Sequence, residues 1–228
     1  MITPVLSADI NRSRQLHPKG DGEERGNILS VEEKLSSFRS YSEELGLDLT
    51  KPDDRFKWFI ASILFAKRIS AEIAKKTFRL FESEGLTSPK RILEAGWNKL
   101  VEVLDSGGYV RYDFSTASNL LAIMKKLKEE YENLENLHQE SSSPADLEKR
   151  LMEFKGIGPV GVNIFLRELR GIWEKARPKP SRMAVETARR IGLKNIEPYE
   201  SALVRLKLEY CKKRRCPECP VREFCKNR

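Results

Sequence analysis

Apolar positions along this chain recur at spacings of three and four, and no stretch alternates polar with apolar between hairpin turns. The pattern predicts helices and gives a sheet no support. Ser30 opens a capping box with Glu33, and a helix is expected from there through Leu45, with Leu35, Phe38, Tyr41 and Leu45 on one face and Gly46 ending it. Residues 55–67 are apolar nearly all round (Phe56, Trp58, Phe59, Ile60, Ile63, Leu64, Phe65), the mark of a buried central helix. Ser70 caps a helix over residues 71–84, while Ser88 and Ser143 each precede a proline suited to a first helical turn. Gly107 and Gly108 break the chain between residues 101–104 and a long stretch over 114–133. The fold class is therefore all-α, with about ten helices. Residues 1–29 mix Pro4, Pro18, Gly20, Gly22 and Gly26 with charges and lack periodicity, so a disordered or loosely attached arm is expected there.

A length of 228 residues suffices for one large domain or two small ones. The densest apolar run, residues 59–66, is far short of the ~20 residues a membrane span needs. Residues 1–10 lack the basic start and apolar core of a secretory signal. The expectation is a monomer that is not secreted, has no membrane partner, and works in the cytoplasm beside the nucleoid or in a nucleus. The net charge of +8 is concentrated. Residues 155–182 hold seven Lys or Arg against two Glu, and residues 211–228 hold the same numbers, leaving the rest near neutral. That distribution suits a polyanionic partner; the plainer reading is solubility.

Cys211, Cys216, Cys219 and Cys225 form a C-x4-C-x2-C-x5-C array, with no cysteine elsewhere. Disulfides do not suit a chain without an export signal, so a metal is the expected occupant. Structural zinc usually takes two C-x2-C knuckles well separated in sequence, whereas this compact array better matches a 4Fe-4S cluster, with zinc as the alternative. Four thiolates leave no open position for substrate, which points to a structural role. Lys212, Lys213, Arg214, Arg215 and Arg222 would offset the charge of such a centre.

Residues 151–166 read as helix, tight turn, helix. Gly156 and Gly158 flank Ile157, which is expected to tuck under the turn, and Pro159 suits the first position of the second helix. Outward-facing amides there make an anion nest for a phosphate, assisted by Lys155, Arg167 and Arg170; the alternative is an ordinary helical hairpin.

This turn, followed after about fifty residues by the cysteine array, resembles the helix-hairpin-helix superfamily of base-excision DNA glycosylases, specifically the iron-sulfur branch typified by endonuclease III. The stretch FIASILFAKRIS, residues 59–70, is similar to that family's early buried helix and following loop. The resemblance implies a six-helix barrel over residues 53–165, and a cluster domain from residues 30–52 and 166–228. Damaged or mismatched double-stranded DNA would lie across the cleft between them. It implies DNA contacts at Lys155, Gly156, Ile157, Gly158 and Val160, and at Lys67 and Arg68, where the family fills the gap left by a flipped base. A surface helix end is the plainer reading of the last two. Tyr109 and Tyr112 would stack on an extruded base or serve as core residues.

The chain departs from the family at its reacting groups. The lysine of bifunctional members falls on Val160, which removes the lyase step. Aligning the family's Arg-Leu-Gly-Leu-like segment on Arg190-Ile191-Gly192-Leu193 puts its aspartate at Ser181. Glu186, Glu168 and Glu174 are candidate substitutes, or else solvated helix residues. The first two cysteines are closer together than in the family, and the segment from Leu193 to Cys211 is shorter. The implied function is a monofunctional glycosylase homologue in base excision repair. The alternatives are a DNA-binding protein without catalysis and a zinc-stabilised RNA binder.

Overall fold

The computed structural model describes residues 29–226. The arm expected over residues 1–29 lies outside them apart from Leu29. Among the described residues every regular element is helical. Eleven α-helices run in the order α1 (Val31–Ser36), α2 (Tyr41–Glu44), α3 (Pro52–Phe65), α4 (Ala71–Ser83), α5 (Pro89–Gly107), α6 (Asp113–Glu130), α7 (Leu134–Glu140), α8 (Pro144–Met152), α9 (Pro159–Arg167), α10 (Arg182–Ile191) and α11 (Glu200–Leu206). A π-helical turn, Lys207–Cys211, and two 3-10 turns carry the chain through the cysteines.

Local chemistry sets most helix starts. Ser70, Ser88, Ser143 and Ser181 each accept a hydrogen bond from the backbone N–H three residues on, satisfying a donor that the first turn leaves orphaned. The expected single helix from Ser30 to Leu45 is instead two, because Ser40 forms a second capping box with Glu43. The break also serves packing. Leu35 before it enters one apolar core, while Tyr41 and Leu45 after it enter another. The helix α5 is likewise kinked at Gly96, whose φ of 71° is not helical.

The larger core is built around α3, which is buried on every side from Trp58 to Leu64. Trp58 Nε1 donates to the Phe165 carbonyl at 3.2 Å, and Phe59 meets Phe154 and Phe165 edge-on, which locks α3 against α9. The smaller core gathers Leu35, the inner faces of α10 and α11, and Val221 from the cysteine segment. Leu47 and Leu49, and Leu166, Leu169, Trp173 and Ala176, pack into the larger core, although the family resemblance assigns both stretches to the second part.

Ion pairs tie the two cores together. The buried guanidinium of Arg205 on α11 pairs with Glu44 at 2.7 Å and Glu209 at 2.9 Å, and lies 5.0 Å from the centre of the Tyr41 ring. Arg170 pairs with Glu200 at 2.6 Å. Such pairs are costly to break from one side, since a buried charge is then left uncompensated.

Candidate nucleic-acid interface and cysteine array

Between the cores lies an open cleft of about 1260 Å³. The α3–α4 loop brings Lys67 and Arg68 to it, α9 brings Val160 and Arg167, and the extended approach to α10 brings Arg177, Lys179 and Ser181. Arg182 and Lys212 complete a lining with seven cationic side chains and a single carboxylate, Glu148. Residues more than a hundred positions apart in sequence, Lys67 and Ser181 among them, thus share one concave surface of positive charge, an arrangement that concentrates field on an anionic ligand.

The hairpin between α8 and α9 stands beside this cleft. Gly156 adopts a φ of 82°, a left-handed conformation that favours glycine, and a β-carbon there would lie 2.2 Å from Asn119 Nδ2, so that side chain would have to swing aside. Ile157 is buried under the turn, while Lys155, Gly158 and Val160 are exposed. Gly158 is the N-cap of α9 and supplies no side-chain acceptor, so the first-turn amide of the exposed Val160 remains available to an outside acceptor, whereas Gly161 behind it is buried. Arg167 and Arg170, expected beside the hairpin, lie at the far end of α9 and beyond it, turned inward. Tyr109 does not line the cleft. It is fully buried and donates to the Leu64 carbonyl, a core role that Tyr112 supports with an edge-on ring contact at 6.2 Å.

Ser181 spends its hydroxyl capping α10, and its backbone N–H donates to Glu200 Oε1 at 2.8 Å. Glu200 is 1% exposed and also accepts from Asn163 Nδ2 at 2.9 Å and from Arg170 at 2.6 Å. It therefore acts as a buried bracket behind the cleft wall. None of the three proposed substitute carboxylates lines the cleft. Glu168 accepts from Ser42 N and Ser201 Oγ, and Glu186 pairs with Arg182 and Lys207. The carboxylate that does reach it, Glu148, sits on a stripe of α8 with Pro144 and Met152, a spacing of four legible in the sequence.

The floor of the cleft is aromatic and basic. Tyr41 stacks on Phe65 with ring centroids 4.7 Å apart, and burial, followed by the charge of Glu209, pushes the Tyr41 hydroxyl pKa well up. Arg167 is 7% exposed. Burial lowers its pKa against the pull of Glu168 and Glu200, yet a guanidinium retains its charge at neutral pH.

The four cysteines carry thiols on consecutive turns. Cys211 ends the π-helical turn, Cys216 opens the first 3-10 turn (Cys216–Glu218), Cys219 follows it, and Cys225 follows the second (Arg222–Phe224). Burial raises the Cys219 pKa. The Val221 N–H, donating to its sulfur, opposes that shift, and the charges of Cys211, Cys225 and Cys216 add to it. In donor type they fit a thiophilic metal centre, and an N–H directed at a sulfur favours its thiolate form. Among the described residues, no three His, Cys, Asp or Glu side chains are gathered at coordination distance.

No protein-family model matches the chain, and a search of curated proteins returns no match.

Proposed function

We propose that this protein is a helix-hairpin-helix, endonuclease III-like DNA glycosylase homologue that binds damaged or mismatched duplex DNA. In this reading it hydrolyses the N-glycosidic bond of one base without a lysine-dependent lyase step. The observation that carries the reading is the shared cleft. Lys67, Arg68, Val160 and Ser181, which the family resemblance assigns to one site, line one basic surface, with the Gly156–Gly158 turn at its side. The uncapped Val160 amide at the start of α9 would take a backbone phosphate without regard to sequence, and Lys67 and Arg68 would enter the space left by an extruded base.

In this reading the chemistry falls to Glu148. A carboxylate facing a sugar stabilises the oxocarbenium-like charge that develops as the base departs, and it can accept a proton from the attacking water. Cys211, Cys216, Cys219 and Cys225 would hold a 4Fe-4S cluster, or zinc, as a structural brace that fixes the C-terminal basic segment beside α10 and α11.

A second reading has its own support. With valine and serine at the family's reacting positions and one half-buried carboxylate in the cleft, the molecule is also suited to recognising distorted DNA without cutting it. One experiment decides between them. Purified, metal-loaded protein is incubated with duplexes carrying uracil, oxidised pyrimidines, alkylated purines or mismatches, and half of each sample is treated with alkali. Strand breaks that need alkali, and that disappear in Glu148→Gln, are the expected outcome. Tight binding with no breaks at any lesion would leave only the second reading standing.

A further inference from the structure

Arg167 presents a problem that the cleft's general charge does not explain. Its side chain makes no hydrogen bond or ion pair among the described residues, and its Nε is wholly buried without a partner. A buried donor left unpaired is costly, more so when charged, and natural proteins rarely keep one without a use. The neighbouring carboxylates do not satisfy it. Glu168 is bonded to Ser42 and Ser201, and Glu200 to Arg170, Asn163 and Ser181. They offset charge, with Arg167 and Arg170 balancing Glu168 and Glu200, but they supply no acceptor. What the site lacks is an oxygen, and Arg167 lines the cleft through which one would arrive.

We infer that Arg167 is the floor of a phosphate-binding site inside the cleft, completed by a phosphate oxygen of the ligand. A guanidinium presents its donors in a planar fork that matches a phosphate edge, and it loses less on dehydration than an ammonium does. The remaining cleft charge favours the same ligand, since six further cations stand against Glu148 alone. The site lies at the C-terminal end of α9, at the opposite end from the hairpin turn, so it is separate from the Val160 amide. It does not depend on the proposed glycosylase activity.

The test uses inorganic phosphate as the probe, against chloride at matched ionic strength. Thermal denaturation and calorimetric titration are run on the full chain and on R167M, R167K and K128M. For the parent protein, phosphate raises Tm above the chloride baseline. R167M loses that shift, with the phosphate Kd rising by about tenfold or more, in line with the loss of a charge-assisted hydrogen bond. R167K keeps the charge without the Nε donor and loses most of the shift, which separates recognition by the fork from charge alone. K128M, altered at an exposed lysine of α6 that does not line the cleft, keeps it. Because Nε has no protein partner, R167M gives up no internal hydrogen bond there, and an unchanged far-UV circular dichroism spectrum checks its fold.

A duplex arm identifies the source of the phosphate. Weaker duplex binding by R167M assigns the site to a backbone phosphate. Unchanged duplex binding with loss of the phosphate shift assigns it to a free phosphate or nucleotide. A parent protein that fails to bind duplex but still shows the Arg167-dependent shift defeats the DNA reading and keeps this site. Equal phosphate responses in the parent protein, R167M and R167K, or no response above chloride, overturn the inference.

Discussion

Replacing Glu200 by glutamine is the sharpest test of how the cleft wall is held. The carboxylate is 1% exposed and takes three donors: Ser181 N at 2.8 Å, Asn163 Nδ2 at 2.9 Å, and Arg170 at 2.6 Å. In Glu200→Gln the amide oxygen can keep the first two, both of which reach Oε1. The amide nitrogen then replaces Oε2 and turns a donor toward Arg170, which keeps only the carbonyls of Pro178 and Glu197. One charge-assisted bond is lost and a largely but not fully buried cation is left without its counter-ion, a cost of about 3 kcal/mol. For a chain of this size that corresponds to a fall in Tm of about 6–12 °C. Differential scanning calorimetry at neutral pH measures it directly. A Tm within about 1 °C of the parent protein, too small for any such loss, would refute the view that Glu200 braces Ser181 and α9.

Other expectations concern separate parts of the molecule. Gly156→Ala forces a side chain into a left-handed backbone and makes Asn119 move aside, so it costs about 1–2 kcal/mol, whereas Gly158→Ala, with open space around it, costs well under about 1 kcal/mol; urea melts that ranked the two equally would contradict the hairpin geometry. Burial, then Lys175, holds the His138 pKa below its ordinary 6.5 as the ring stacks on Trp173. The unfolded chain therefore binds the proton first, so this contribution to stability is present above about pH 6.5 and fades as pH falls. Between about pH 6.5 and 5, above the carboxylate range, His138→Gln should lose less Tm than the parent protein, and parallel curves would rule the histidine out. Protein purified without oxygen should be brown, and Cys219→Ser should lose the broad visible absorption together with several degrees of Tm. Colourless protein with bound zinc would select the alternative metal, and metal-free protein with an unchanged melt would remove the centre altogether.

What could be read from the sequence was local. Ser70, Ser88 and Ser143 mark helix starts because each cap bond spans only three residues, and residues 56–65 declare a buried helix by having no polar face. The break between α1 and α2 is harder to see, since Leu35, Tyr41 and Leu45 share a helical face on paper yet serve different cores. Glu148 was within reach, four residues after Pro144 and four before Met152, but nothing local says which side of α8 faces a cleft. The inward turn of Arg167 and Arg170 depends on Glu168 and Glu200, whose positions are fixed only once α9, α11 and the approach to α10 have packed. Read along the chain, both arginines are close enough to the hairpin to suggest that they assist its phosphate nest, as solvated basic residues usually could.

If the cleft binds the backbone of duplex DNA, as proposed, the salt dependence of binding tests it most directly. Fluorescence anisotropy of a labelled duplex is measured between about 50 and 200 mM salt, for the parent protein and for the double variant Lys67→Glu, Arg68→Glu. With four or more phosphates neutralised, the Kd should rise about a hundredfold over that range, and the variant should bind more weakly with a slope shallower by about two. A Kd that ignores salt, or a variant whose slope and affinity match the parent protein, would contradict the account.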